Sequence, residues 1–260
     1  MELCNKWLAV PLRVQTLIEA LAQEPFMLQR VADELSELKK WRRSLTMLLE
    51  RIGSHHAGGG GSGGGGLFSD GDDLKNLVIG PAEYASIKAG FEKHMLSVRS
   101  LEDALNATVI DNVRHCIDLG IANPALLVAT FVVIEQIKGG SEDEQEHDRA
   151  NLEAIAQAAV HEAIVTRAQD LFQKLSNAGV MSVEQALSAA SQVLQDLRTI
   201  ASDVGRCMPK EFECITLAKN LYQSFLLVEL ERFYCSPRDV EDTMTILRLI
   251  SEFFLCVRMI

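Results

Sequence analysis

Apolar residues near the start of the chain recur at intervals that alternate between four and three. Leu3, Trp7, Val10, Val14, Leu17 and Leu21 follow this rule, which places them on one face of an α-helix. Pro11 falls inside the pattern. Proline removes a backbone donor and clashes with the preceding turn. The helix is therefore either kinked there or starts near Pro11, with Trp7 packing from an extended lead-in. Pro25 ends or redirects it. A second seam follows through Leu28, Val31, Leu35, Leu38, Leu45, Leu49 and Ile52, with Arg42 standing at one of its regular positions and Trp41 and Leu48 beside the line. Residues 1–52 thus read as two helices meeting near Pro25.

The pattern resumes at Pro81. Tyr84, Ile87, Phe91, Val98, Leu101 and Leu105 share a face, with His94 at the vacant seam position. This helix is expected to run to Leu119 and stop at Gly120. Asn123-Pro124 supplies a cap and a first-turn proline. The segment from there to Ile137 is apolar all round and reads as a buried helix; its β-branched content leaves a strand open. Ser141–Glu144 and Ser182–Gln185 are capping boxes. They predict helices to about Asn177 and from Ser182 to Met208, the latter with strict four-three spacing. Pro209 separates a further helix, 210–234, and Ser236-Pro237 opens the last, to Met259. "YQSFLLVEL" and "LISEFFLCV" are apolar on most faces. Such helices lie centrally or beneath a partner.

These elements predict an all-α fold: an elongated antiparallel bundle of five or six helices joined by short turns, with the N-terminal pair docked on it. No repeat of solenoid length is visible.

One segment departs from the pattern. "HHAGGGGSGGGG", His55–Gly66, holds eight glycines in twelve residues. Glycine and serine at this density bury no surface. Four glycines, a serine and four more glycines form the repeat used to join two polypeptides, so residues 53–66 read as an engineered Gly/Ser linker. The chain divides into a docking segment, 1–52, that linker, and a receptor domain, 67–260. Fourteen flexible residues span about 20 Å root-mean-square, and such a tether makes an encounter intramolecular. Gly139–Ser141 reads either as an ordinary turn or as a second, shortened loop.

Composition is consistent with this division. Apolar residues make up 48% of the 260 residues, charged ones 23% and aromatics 6%, a palette suited to helices. Fifty-two residues rarely fold alone, while each large apolar side chain gains about 1.5–3 kcal/mol on burial. The docking segment therefore needs a partner surface, and residues 67–260 supply it. The expected anchors are Trp7, Val14, Leu17, Leu21, Leu35, Leu38, Trp41, Leu45 and Ile52. Residues 1–52 carry a net +1 and residues 67–260 a net −12, which sum to the chain's −11. Lys39, Lys40, Arg42 and Arg43 around Trp41 thus read as a possible electrostatic contact to an acidic partner. The same cluster also fits a nucleic-acid patch, whereas the acidic body does not.

Candidate chemistry is sparse. His161-Glu162 opens like a zinc-protease motif, but Val165 stands where the second histidine is needed. Glu144–His147 has the spacing of a di-iron helix without the second such motif. Adjacent His115 and Cys116 point about 100° apart on a helix, so they do not face each other. No phosphate-binding or nucleophile-elbow motif is present in the sequence. No catalytic residue, metal or cofactor is expected. The six cysteines lack a C-x-x-C spacing and read as reduced thiols of a cytoplasmic or nuclear protein. No apolar run is long enough to span a membrane, and no secretory signal is expected. The expected function is a non-catalytic protein–protein interaction or scaffold module, a single-chain fusion of a docking segment with its partner domain, with further protein partners. The alternatives are an autoinhibited, exchange-factor-like regulator of a third protein and a nucleic-acid-associated subunit using Lys39–Arg43.

Overall fold

The computed structural model describes residues 9–57, 80–139, 146–176, 183–234 and 240–259. It is an all-α bundle, and the described residues contain no strand. The chain forms two compact units, Met1–Leu105 and Asn106–Ile260. The division at Leu105 lies well beyond the glycine stretch, so residues from both sides of that stretch belong to the first unit.

In the first unit, α1 spans Val10–Gln23, with Pro11 in its first turn. There its missing N–H has no helical partner to lose. The helix thus starts at the proline. Glu24 leaves helical geometry at φ −129° and ψ 89° just before Pro25, as a residue preceding proline prefers. A 3-10 turn, Pro25–Met27, leads into α2, Leu28–Ala57. Gly53–Ala57, expected to be linker, continue this helix; the rest of the linker, 58–66, lies outside the described residues. The third helix, α3, spans Pro81–Arg114, and its residues to Leu105 belong to this unit. Val10, Val14, Leu17 and Leu21 from α1 are buried, as are Leu28, Val31, Leu35, Leu38 and Leu45 from α2 and Val98, Leu101 and Leu105 from α3. The expected α3 face is followed incompletely: Ile87 is 48% exposed.

The second unit corrects several expected boundaries. Helix α3 stops at Arg114, not Leu119. His115 departs from helical geometry at φ −100° and ψ 22°, and α4 covers Cys116–Ala122. The His115 ring nitrogen lies 2.9 Å from the Asp111 carbonyl, which also accepts the His115 backbone N–H at 3.2 Å. Gly120 does not end a helix. It is buried within α4, and a Cβ on it would lie 2.8 Å from Cγ2 and 3.0 Å from Cα of Val204. The glycine permits close packing of two backbones.

Pro124–Gly139 form α5, not a strand. Asn123 caps it, its Oδ1 accepting from the Leu126 N–H at 3.3 Å. Helix α6 covers Glu146–Ser176 and α7 covers Val183–Thr199. The Ser141–Glu144 box and Ser182 lie outside the described residues. Helix α7, expected from the four-three spacing to run to Met208, ends at Thr199, although Val204 and Met208 remain buried. Ile200–Val204 form a π-helical turn, closed by Gly205 N–H to the Ile200 carbonyl at 2.7 Å. A π turn accommodates one extra residue, and here Gly205 brings the chain against Ile215. A 3-10 turn, Lys210–Phe212, and the left-handed Glu213 at φ 46° delay α8 to Cys214–Tyr234. The last helix, α9, spans Val240–Met259, and Ser236-Pro237 lie outside the described residues. Tyr222, Leu226 and Phe253 are buried on α8 and α9, while Leu227, Val228, Met244, Leu247 and Leu255 are exposed.

Candidate interaction surface

The expected anchors that can be located lie on two helices of one unit. Val14, Leu17 and Leu21 on α1 and Leu35, Leu38 and Leu45 on α2 are all buried, and Trp41 and Ile52 are half-buried. Trp7 lies outside the described residues. Leu101 and Leu105, from beyond the glycine stretch, are fully buried in the same unit.

Polar side chains fix how these helices meet. Lys39 of α2 donates to the Glu102 carboxylate of α3. Tyr84 of α3 donates to the Leu49 carbonyl of α2 at 3.3 Å. A Cβ on Gly53 would come within 2.7 Å of the Tyr84 hydroxyl oxygen, so the glycine at this point of α2 admits the ring. Of the expected basic contacts, Lys39 is therefore paired across two helices. Lys40 is exposed, and Arg42 and Arg43 are half-buried.

The charge patterning missed a clasp between α1 and α2. Arg13 donates to Glu34, lies 4.0 Å from Glu37, and holds its guanidinium 5.4 Å from the Trp41 ring centre. The spacing of Glu34 and Glu37 was available in the sequence. Their shared partner Arg13, 21 residues before Glu34 on a separate helix, was not.

The second unit contains a deeper polar network. Arg167 on α6 donates from Nη2 to Asp196 Oδ1 at 2.7 Å and from Nε to both carboxylate oxygens at 3.2 and 3.3 Å. Tyr222 on α8 donates its hydroxyl to the same carboxylate. The hydrogen bonds from Arg167 to Asp196 raise the Arg167 pKa above its ordinary value. Burial, and then Asp196, push the Tyr222 phenol far above its ordinary 10.0. Beside this network is a cleft of about 470 Å³ bearing Arg114, His115, Asp118, Glu162, Arg167 and Asp170.

The chain matches no protein-family description, no curated protein and no solved structure.

Among the described residues, Cys116 and Cys214 hold their protons tightly. Burial, and next the neighbouring Cys214, push Cys116 up to about 12, and burial pushes Cys214 up to about 11. The nucleophilic thiolate is therefore scarce at neutral pH. Cys116, Cys207 and Cys214 are free. Among the described residues no group of His, Cys, Asp or Glu side chains is placed to hold a metal. Glu144, and with it the Glu144–His147 pair, lies outside the described residues. No described helix is long and apolar enough to cross a membrane.

Proposed function

We propose that this chain is a non-catalytic protein–protein interaction module, in which a helical docking segment, 1–52, is tethered to the partner that buries it. One observation carries the reading. The first compact unit draws its core from both sides of the glycine stretch, with Leu17, Leu35 and Leu38 on one side and Leu101 and Leu105 on the other. The Lys39–Glu102 ion pair adds register between the same two parts. A flexible tether between such parts raises their local concentration without contributing contacts. Free cysteines at Cys116, Cys207 and Cys214 suit a reducing compartment, cytoplasm or nucleus.

The test is to place a protease site within 58–66, cut, dilute to about micromolar concentration, where a micromolar complex is half dissociated, and separate by size. The expected result is that the fragments co-elute, and that Leu38→Asp releases the N-terminal fragment. Fragments that separate while each retains its helical circular dichroism and cooperative unfolding would refute the tethered-complex reading.

A further inference from the structure

The rotation of α5 about its own axis runs against the usual sorting of polar and apolar residues. From Pro124 to Ile134 its sequence is PALLVATFVVI, in which Thr130 alone is polar. Thr130 is fully buried, while Val128 and Val132 are 43% and 46% exposed. The exposed positions, Pro124, Ala125, Val128, Val132 and Glu135, fall within about 100° of the helix circumference at 100° per residue. A solvent-facing helix face normally carries the polar residues.

Hydrogen bonding accounts for this rotation. Thr130 Oγ1 donates to the Leu126 carbonyl at 2.8 Å and accepts from Asn112 Nδ2 of α3 at 3.1 Å. Leu127, Phe131 and Ile134 pack inward on the same side as Thr130. Turning the helix to hide the valines would break the Asn112–Thr130 pair and leave the part-buried Asn112 amide without its partner. The valine face is therefore held outward by a specific contact.

We propose that this face, Ala125–Val128–Val132, is a docking strip for an amphipathic helix of a protein partner whose apolar ridge is flanked by lysine or arginine. Charge selects that occupant. The second unit carries 13 Lys and Arg against 22 Asp and Glu, a net −9. The strip's next exposed position is the carboxylate of Glu135. A basic-flanked helix gains from this field, whereas a second copy of the same acidic surface is repelled. Side chains at i, i+3, i+4 and i+7 of such a helix lay into an apolar strip of this kind.

This inference rests on the reading of the chain as a binding module, but its test uses the uncut chain and a surface of the second unit alone. Fragments that separate after linker cleavage would remove the tethered-complex reading and leave this result unaltered. The probe is a labelled designed helix of about 18 residues, five turns, built from leucine and lysine, with a leucine–glutamate peptide of the same pattern as control. Fluorescence anisotropy should show the lysine peptide binding at least about tenfold more tightly than the glutamate peptide. Val128→Gln combined with Val132→Gln should weaken it about tenfold, and Glu135→Gln about threefold. Both changes are at exposed positions and should leave the circular dichroism unchanged. As a measurement that needs no variant, the lysine peptide should slow amide exchange in 124–135 of the unaltered chain. Equal binding to the double variant, equal binding of the two peptides, or unchanged exchange in 124–135 would overturn the proposal. So would a concentration-dependent dimer that the double variant abolishes, because the strip would then serve a second copy.

Discussion

Nη2 of Arg167 lies 2.7 Å from Oδ1 of Asp196, and the carboxylate that holds it also accepts the hydroxyl proton of Tyr222. Three helices, α6, α7 and α8, are thereby joined through one side chain that is only 11% exposed. An almost buried carboxylate is tolerated because its lone pairs are filled by charged and neutral donors. Removing one donor costs less than removing the acceptor. Tyr222→Phe should destabilise the chain by about 1 kcal/mol, the net worth of an ordinary hydrogen bond. Asp196→Ala should cost about 2–4 kcal/mol, since it leaves a phenol and a partly buried guanidinium without their shared partner. Urea titration followed by circular dichroism checks both, and a larger loss for Tyr222→Phe than for Asp196→Ala would refute the assignment.

Alkaline pH should weaken the second unit. Tyr222, Cys116 and Cys214 all bind their protons more tightly when folded than their ordinary values of 10.0 and 9.0 allow. Where the unfolded chain has released a proton that the folded chain retains, stability falls as pH rises. The two thiols place the onset near pH 9, with loss continuing to about 11 for Cys214 and about 12 for Cys116. Tyr222 adds to the loss above its ordinary 10.0. More than about a pH unit below 9 these three groups contribute almost no slope. Thermal unfolding from pH 7 to 11 should show the decline, and Cys116→Ala with Cys214→Ala should flatten its first part.

Two glycines predict opposite signs for the same substitution. At Gly120 a Cβ would lie 2.8 Å from Val204 Cγ2 and 3.0 Å from its Cα. The backbone cannot yield as a flexible side chain would, so Gly120→Ala should cost about 1–3 kcal/mol. Gly90 lies within α3 with nothing within 4 Å of the added carbon. Gly90→Ala should stabilise the chain by about 0.5–1 kcal/mol through helix propensity and a less flexible unfolded state. Parallel denaturant titrations check the pair.

The helical elements were legible because the four-three spacing of Val10, Val14, Leu17 and Leu21, and of Leu28, Val31, Leu35 and Leu38, records the buried side directly. The same spacing, continued through Leu197, Ala201 and Val204, failed within that stretch. Leu197 and Val204 are buried as the pattern implies, but Ile200 is buried in place of Ala201, where the backbone forms a π turn over Ile200–Val204. Burial periodicity alone does not reveal an inserted residue. Gly120 illustrates a second gap. Its role depends on Val204, 84 residues later in the chain, and from sequence it resembled a helix stop. Among the candidate contacts, Lys39 was legible as a basic residue near an acidic partner, yet nothing in the spacing singled out Glu102. Arg167, Asp196 and Tyr222 are far apart in sequence on separate helices, and no short motif links them. The inward Thr130 was likewise unreadable, because its partner Asn112 lies 18 residues away on α3.

That last contact gives a prediction about helix orientation. Thr130→Val keeps the side-chain shape while removing the acceptor for Asn112 and the donor to Leu126. The cost comes from the part-buried Asn112 amide left without its partner, about 1–2 kcal/mol. Asn112→Leu in the same background removes that orphaned group, and the double variant should recover part of the loss. Coupling of this kind is measured by a double-mutant cycle in urea. A cycle that closes with no interaction energy would mean that the Asn112–Thr130 pair does not set the rotation of α5, and that packing of Leu127, Phe131 and Ile134 alone turns Val128 and Val132 outward.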